Sequence, residues 1–321
     1  MRKDSGVSVM SIDDLADTGP TPEEQSRLIP HRPALIAYRG SIAHGTYIPP
    51  EDEAGIDDVD ILSVYVAPLS HYFGSDCKPA AGSDCKIGKW DSAAYEFRHF
   101  CTLLANGNPN VLSLLWTEEK HRLLVEREGE ALIENRNLFL SKKLYHSFGG
   151  YAHAQMKRME SFKDVEDLGC GCDSTFHGET CVANLARGRG SQKRFATGFM
   201  GAKRKGLVAK YGYDVKNAAH LIRLLHMGIE VLNSGEVFVD RSGRDADELK
   251  SIKRGEWSLG AVKTVAESLF EDMKVARDGS PLPEEPDRVA IDRFMVDTLS
   301  VSMMTEVALT GNAALAKKLL T

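Results

Sequence analysis

The sequence predicts an α/β protein, in the α+β sense: a small mixed sheet followed by a helical C-terminal domain. Three observations predict it. Two short apolar runs, Ala34–Tyr38 and Ile61–Val66, read as buried strands, the second rich in β-branched residues. A third candidate strand spans Lys89–Phe97 and runs into a helix. From about Glu118 onward, apolar residues recur at three- and four-residue steps, the period of helices packed on a core. The organisation expected from this is an N-terminal tail over 1–33, a site-bearing domain over 34–117 and a helical domain over 118–321. A Cys/Gly/Arg-rich insertion interrupts the last at about 167–198.

In the tail, Thr21 caps a short helix with Pro22 at its first position. Arg39-Gly40-Ser41 ends the first strand. Gly40 lets the chain turn without a Cβ penalty, and Ser41 is placed to cap a short helix from Ile42. The N-terminus of such a helix favours phosphate, because unpaired N–H groups and the helix dipole act together. Before the second strand stands Asp57-Asp58-Val59-Asp60. Residues i and i+2 of a strand share a face, so Asp58 and Asp60 project together. Two carboxylates that close repel unless a cation lies between them, and Mg²⁺ suits such a pair when phosphates complete its shell.

The stretch Pro68–Lys89 reads as a loop at the sheet edge. On the third strand, Asp91 and Glu96 are the candidates for a further carboxylate beside this pair. Five residues apart, they point to opposite faces, so at most one serves. Glu96 is preferred, because it sits where the strand leads into the helix.

In the helical part, Gly201–Gly212 forms a basic helix with Lys203, Arg204 and Lys205, and Asp214 caps the most regular helix, Val215 to about Asn233. Lys216, His220, Arg223 and Met227 make one stripe beside its apolar face. Periodicity alone reads that stripe as a polar helix margin.

The chain has 321 residues, a formal net charge of −6, 42% hydrophobic and 27% charged residues, which is ordinary for a folded globular protein. That balance gives no dedicated nucleic-acid-coating surface. No run of 18 apolar residues exists, so no membrane span is expected, and six cysteines fit a reducing cytoplasm better than a disulfide scaffold. Cys170, Cys172, His177 and Cys181 are a chemically complete tetrahedral zinc set. Their Cys-x-Cys spacing is tighter than usual for zinc, which favours free thiols.

Gly40-Ser41 closing one strand and Asp58-x-Asp60 entering the next resemble the nucleotidyltransferases of the DNA polymerase beta superfamily. Tyr95-Glu-Phe-Arg-His-Phe, Gly107-Asn-Pro-Asn-Val-Leu, Gly150-Tyr-Ala-His-Ala-Gln-Met, Gly201-Ala-Lys-Arg-Lys-Gly-Leu and Tyr211-Gly-Tyr-Asp-Val-Lys-Asn-Ala-Ala-His-Leu-Ile-Arg are similar to the RNA-ligase-associated branch of that superfamily. So is Glu248-Leu-Lys-Ser-Ile-Lys-Arg-Gly-Glu-Trp. The resemblance runs over roughly residues 34 to 300. It implies a polymerase-beta-type core and transfer of a nucleoside monophosphate from an NTP, ATP among them, to an acceptor. Asp58 and Asp60 would bind Mg²⁺, with Mn²⁺ as an alternative, and Glu96 would complete the catalytic set. Gly40, Ser41, Lys216, His220 and Arg223 would bind the nucleotide. The basic residues Arg187, Arg189, Lys193, Arg194 and Lys203–Lys205 make an RNA end one acceptor to consider. Two other readings stand beside this: a nucleotide or RNA sensor with little turnover, and an enzyme that transfers AMP to protein. The branch usually carries a compact Ser-Asp-x-Asp, whereas this chain has Asp57-Asp58-Val59-Asp60 after a longer connection.

Overall fold

The structure is a computed structural model, and it describes residues 19–52, 54–55, 58–74, 82–160 and 202–309. The chain opens with helix α1 (Pro22–Leu28), held by a reciprocal capping box between Thr21 and Glu24. Strand β1 (Arg32–Tyr38) follows, then a four-residue helix α2 (Gly40–Ala43) and strand β2 (Val59–Val66). Next come α3 (Leu69–Phe73), β3 (Ser83–Ile87), β4 (Trp90–Glu96), α4 (Phe97–Ala105), α5 (Pro109–Leu112) and β5 (Arg122–Val125). The remaining helices are α6 (Arg127–Glu134), α7 (Lys143–Glu160), α8 (Ala202–Tyr211), α9 (Val215–Ser234), α10 (Ala246–Lys253), α11 (Leu259–Asp278) and α12 (Arg288–Leu309).

The five strands form one mixed sheet in the order β3-β4-β2-β1-β5. β1 runs antiparallel to both β2 and β5, β3 runs antiparallel to β4, and β2 and β4 are parallel. β2 is buried along nearly its whole length, which is why it reads as a continuous β-branched run rather than an alternation. The stretch expected as an edge loop contains α3 and β3. β3 is one of the sheet's two outer strands, half-exposed in alternation, so it offers no apolar run to notice. β5 lies past residue 117, so the sheet draws on the part of the chain expected to be helical.

α9 is the centre of the helical part and packs against α7, α10 and α11. Asp214 caps it by accepting from the Lys216 and Asn217 N–H groups, and Gly235 ends it in the left-handed region at φ 71°. Its buried side carries Leu221, Ile222, Leu224, Leu225, Val231 and Leu232. The sheet and helices share one continuous hydrophobic core. Among the described residues, no helix is long and apolar enough to cross a membrane.

Candidate active site

The turn after β1 is built against a carboxylate. The Arg39 N–H donates to the Asp60 carbonyl at 2.9 Å. Gly40 then adopts φ +63°, and a Cβ built there would lie 2.4 Å from Asp60 Oδ2. Both the backbone conformation and the space therefore demand glycine. Because Gly40 is already the first residue of α2, the cap position falls to Arg39, and Ser41 is inside the helix rather than capping it.

Asp58 and Asp60 enter β2 together, and the parallel register sets Asp91 of β4 directly opposite Asp60. The Arg39 guanidinium lies 3.9 Å from Asp60 and 3.8 Å from Asp91. Lys86 of β3 donates to Asp58 at 2.7 Å. Burial pushes the Asp60 carboxyl above its ordinary range; Arg39 opposes that, while Asp91 and Asp58 add to it.

Glu96 is placed elsewhere. It is only 1% exposed and faces the other side of the sheet from Asp91, as its odd spacing requires. It accepts from the Tyr72 hydroxyl at 2.6 Å and from the His99 N–H at 3.1 Å, capping α4. Its acceptor atoms hold a helix start and a buried phenol, and Asp91 is the β4 acid that stands beside Asp60.

Gly40, Ser41, Asp58, Asp60, Lys216, His220 and Arg223 line one cavity of about 520 Å³. The sheet supplies the acids and the Gly-Ser turn, and α9 supplies the stripe of Lys216, His220 and Arg223. Two further residues were not singled out by sequence reasoning. Lys253 of α10 donates to the Thr46 carbonyl at 2.8 Å and to its hydroxyl at 2.9 Å. Burial, with Arg223 and Lys216 nearby, brings Lys253 down to about 7. Its signal is the i+4 step from buried Leu249, which puts it on the inward side of α10.

His44 is the other. Its Nδ1 lies 2.8 Å from the Val239 carbonyl, and its Nε2 lies 2.7 Å from Arg223 Nη1. A carbonyl only accepts and a guanidinium only donates, so Nδ1 carries the hydrogen and the ring is neutral. Burial and the Arg223 charge hold its pKa well below the usual histidine value. The geometry makes His44 a fixed acceptor that aims Arg223, whose own pKa burial lowers to about 10, with Arg241 adding to the effect. Behind them, buried Arg241 is held by Glu230 and Asp245, and its N–H donates to the His44 carbonyl at 3.2 Å.

The donor set fits a hard divalent cation. The groups at Asp58, Asp60 and Asp91 are all carboxylate oxygens, and Arg39 and Lys86 form ion pairs with them. Among the described residues, no group of three His, Cys, Asp or Glu forms a metal cage by itself. Mg²⁺ needs no such cage, since it takes one or two carboxylates and shares the rest of its shell with phosphate and water. Asp57, the set Cys170, Cys172, His177 and Cys181, and the basic residues Arg187–Arg194 lie outside the described residues, as do the side chains of Lys203–Lys205.

A family model described as RlaP, RNA repair pathway DNA polymerase beta family, matches residues 34–297. The chain belongs to this family. No curated protein and no solved structure matches it. The matched segment of this RNA repair polymerase-beta-family protein runs from β1 into α12. It therefore takes in nearly the whole sheet, helices α2 to α11 and every cavity residue named above.

Proposed function

We propose that the cavity transfers a nucleoside monophosphate from an NTP to an acceptor hydroxyl, and that the acceptor is an RNA end. One observation carries this: a paired-carboxylate strand entry and a Gly-Ser turn face three cationic side chains, Lys216, Arg223 and Lys253, across one cavity. Acids on one wall and cations on the other suit a triphosphate whose α-phosphorus reacts at the acidic wall. The RNA acceptor is supported by the pathway named in the family description.

In this reading Ser41 and the turn at Gly40 hold the triphosphate tail. Lys216 and Arg223 neutralise its charge, with Arg223 aimed by His44. An incoming triphosphate also keeps Lys253 protonated, so its positive charge is recruited by the substrate. Asp58 and Asp60 would hold Mg²⁺ or Mn²⁺, which, when bound, offsets phosphate charge and acidifies the acceptor hydroxyl. Asp91 takes the proton of that hydroxyl. The acceptor oxygen forms a bond to the α-phosphorus, the α–β bridging bond breaks, and pyrophosphate leaves.

The test supplies each NTP, labelled at the α-phosphate, with Mg²⁺ and total cellular RNA and protein. Label is expected on RNA ends. Label on protein turns the reading to protein modification, and NTP binding without transfer turns it to a sensor.

A further inference from the structure

Beside the first cavity lies a second, of about 740 Å³, between α7 and α9. Asn110 and His220 line both, so the two adjoin. The α7 wall repeats at helical spacing: His146, Gly150, Tyr151, Ala154, Gln155 and Arg158. Its floor is small. Among the described residues, a Cβ built on Gly150 meets nothing within 4 Å. Glycine in a helix interior weakens the helix relative to alanine, and no described neighbour requires it. What it leaves is room over the helix backbone.

The second observation is Gln155. It lines this cavity, is only 3% exposed, and among the described residues its Oε1 has no hydrogen-bond partner. A buried amide oxygen left unpaired is unfavourable, and an N–H group on a ligand would relieve it. Across the cavity, Asn217 is tied through Nδ2 to Asp214 at 3.2 Å, which fixes its amide plane. Tyr151 adds an aromatic ring. The first cavity is walled by acids and cations together, whereas the second carries amides, an aromatic ring and small residues, with Arg158 and His146 as its further polar groups and His220 shared with the first. A flat heterocycle with N–H donors on its edge matches the second; a phosphate chain matches the first.

We infer that the second cavity holds a nucleobase whose phosphates reach the first, and that Gln155 accepts from an N–H on the base edge. This rests on the nucleotide-transfer reading of the first cavity. The base belongs either to the NTP or to the terminal nucleotide of the RNA.

Calorimetric titration tests it, with Ca²⁺ in place of Mg²⁺ to suppress turnover. The probes are inorganic tripolyphosphate, the four NTPs, and a short RNA with and without its 3′-terminal base. The variants are Gly150→Leu, which fills the floor, and Gln155→Met, which removes the buried amide. Both should bind tripolyphosphate within twofold of wild type and one base-bearing probe at least tenfold more weakly. Loss confined to an NTP assigns the donor base; loss confined to the RNA carrying its terminal base assigns the acceptor base. Gln155→Met should also melt higher than wild type without ligand. Folded variants that bind every base-bearing probe within twofold of wild type overturn the inference. If Gly150→Leu does not fold, Gln155→Met decides alone, and a lower melting point with unchanged binding makes Gln155 merely structural. Wild type that binds neither tripolyphosphate nor any NTP overturns the first-cavity reading, and this subsite with it.

Discussion

Asp60 of β2 and Asp91 of β4 stand opposite each other in parallel register, with the Arg39 guanidinium within 3.9 Å of both. The pairing brings a carboxylate 31 positions along the chain beside Asp60, and leaves Glu96 on the other face of the sheet. The two strand acids therefore predict opposite phenotypes.

Asp91→Asn should lower turnover about 100-fold or more, the usual worth of a general base, with no loss of thermal stability. Glu96→Ala should lose about 1–3 kcal/mol of stability, from the helix cap and the lost hydrogen bond of the Tyr72 hydroxyl, with turnover within a fewfold of wild type. Steady-state kinetics and urea unfolding on both variants check this. The reverse pattern would return the catalytic role to Glu96.

Gly40→Ala should fail twice. The left-handed backbone costs about 1–2 kcal/mol with any side chain, and the new Cβ would press on Asp60. Gly88 has φ +56° but open space around it. Gly88→Ala should carry a similar backbone cost and keep activity. Equal activity in the two variants would show that the Gly40–Asp60 approach has no catalytic consequence.

These relationships mark where the sequence was legible and where it stopped. The strand period put Asp58 and Asp60 on one face, and the helix period put Lys216, His220 and Arg223 in one stripe, because both periods are local; only the family resemblance joined that stripe to Gly40, Ser41 and the aspartates. Choosing between Asp91 and Glu96 was not local. Spacing says that they oppose each other, but only the β2–β4 register says which faces Asp60. β3 and β5 lacked a signal for a different reason. Both are outer strands, short and half-exposed, so neither needs an apolar run. Lys253 and His44 were hidden because their roles come from burial beside Arg223, which lies on another element from each and, for His44, 179 residues along the chain.

Lys253 gives the protein a pH signature. Its folded pKa, about 7, lies below the unfolded value near 10.5. Between those values the unfolded chain holds a proton that the native state has released. Stability should therefore rise with pH across that window, by up to about 1.4 kcal/mol per pH unit from this group. Below about pH 7 both states are protonated and the contribution is flat at its least favourable value. Lys253→Met should remove the slope and be relatively more stable at pH 6. Saturating tripolyphosphate should flatten the wild-type slope. Urea unfolding from pH 6 to 10 measures it, and identical slopes in wild type and Lys253→Met would contradict the assignment.

His44→Ala should leave Arg223 charged but no longer aimed. A hydrogen bond to a charged group contributes about 1.5–3 kcal/mol, so the NTP Kd should rise about tenfold or more. His44→Asn, which keeps an acceptor, should recover part of that loss. Equal affinities in wild type and both variants would remove His44 from the positioning role.

The central claim is that an α-phosphoryl group moves to an acceptor and pyrophosphate leaves. The most direct measurement runs the purified chain with Mg²⁺ and an RNA acceptor on NTP labelled in parallel at the α- or the γ-phosphate, counting label on RNA and pyrophosphate released. The account predicts α-label on RNA in equal amount to the pyrophosphate, no γ-label on RNA, and neither product with Asp60→Asn. Transfer of γ-label, or α-label transfer undiminished in Asp60→Asn, would contradict it.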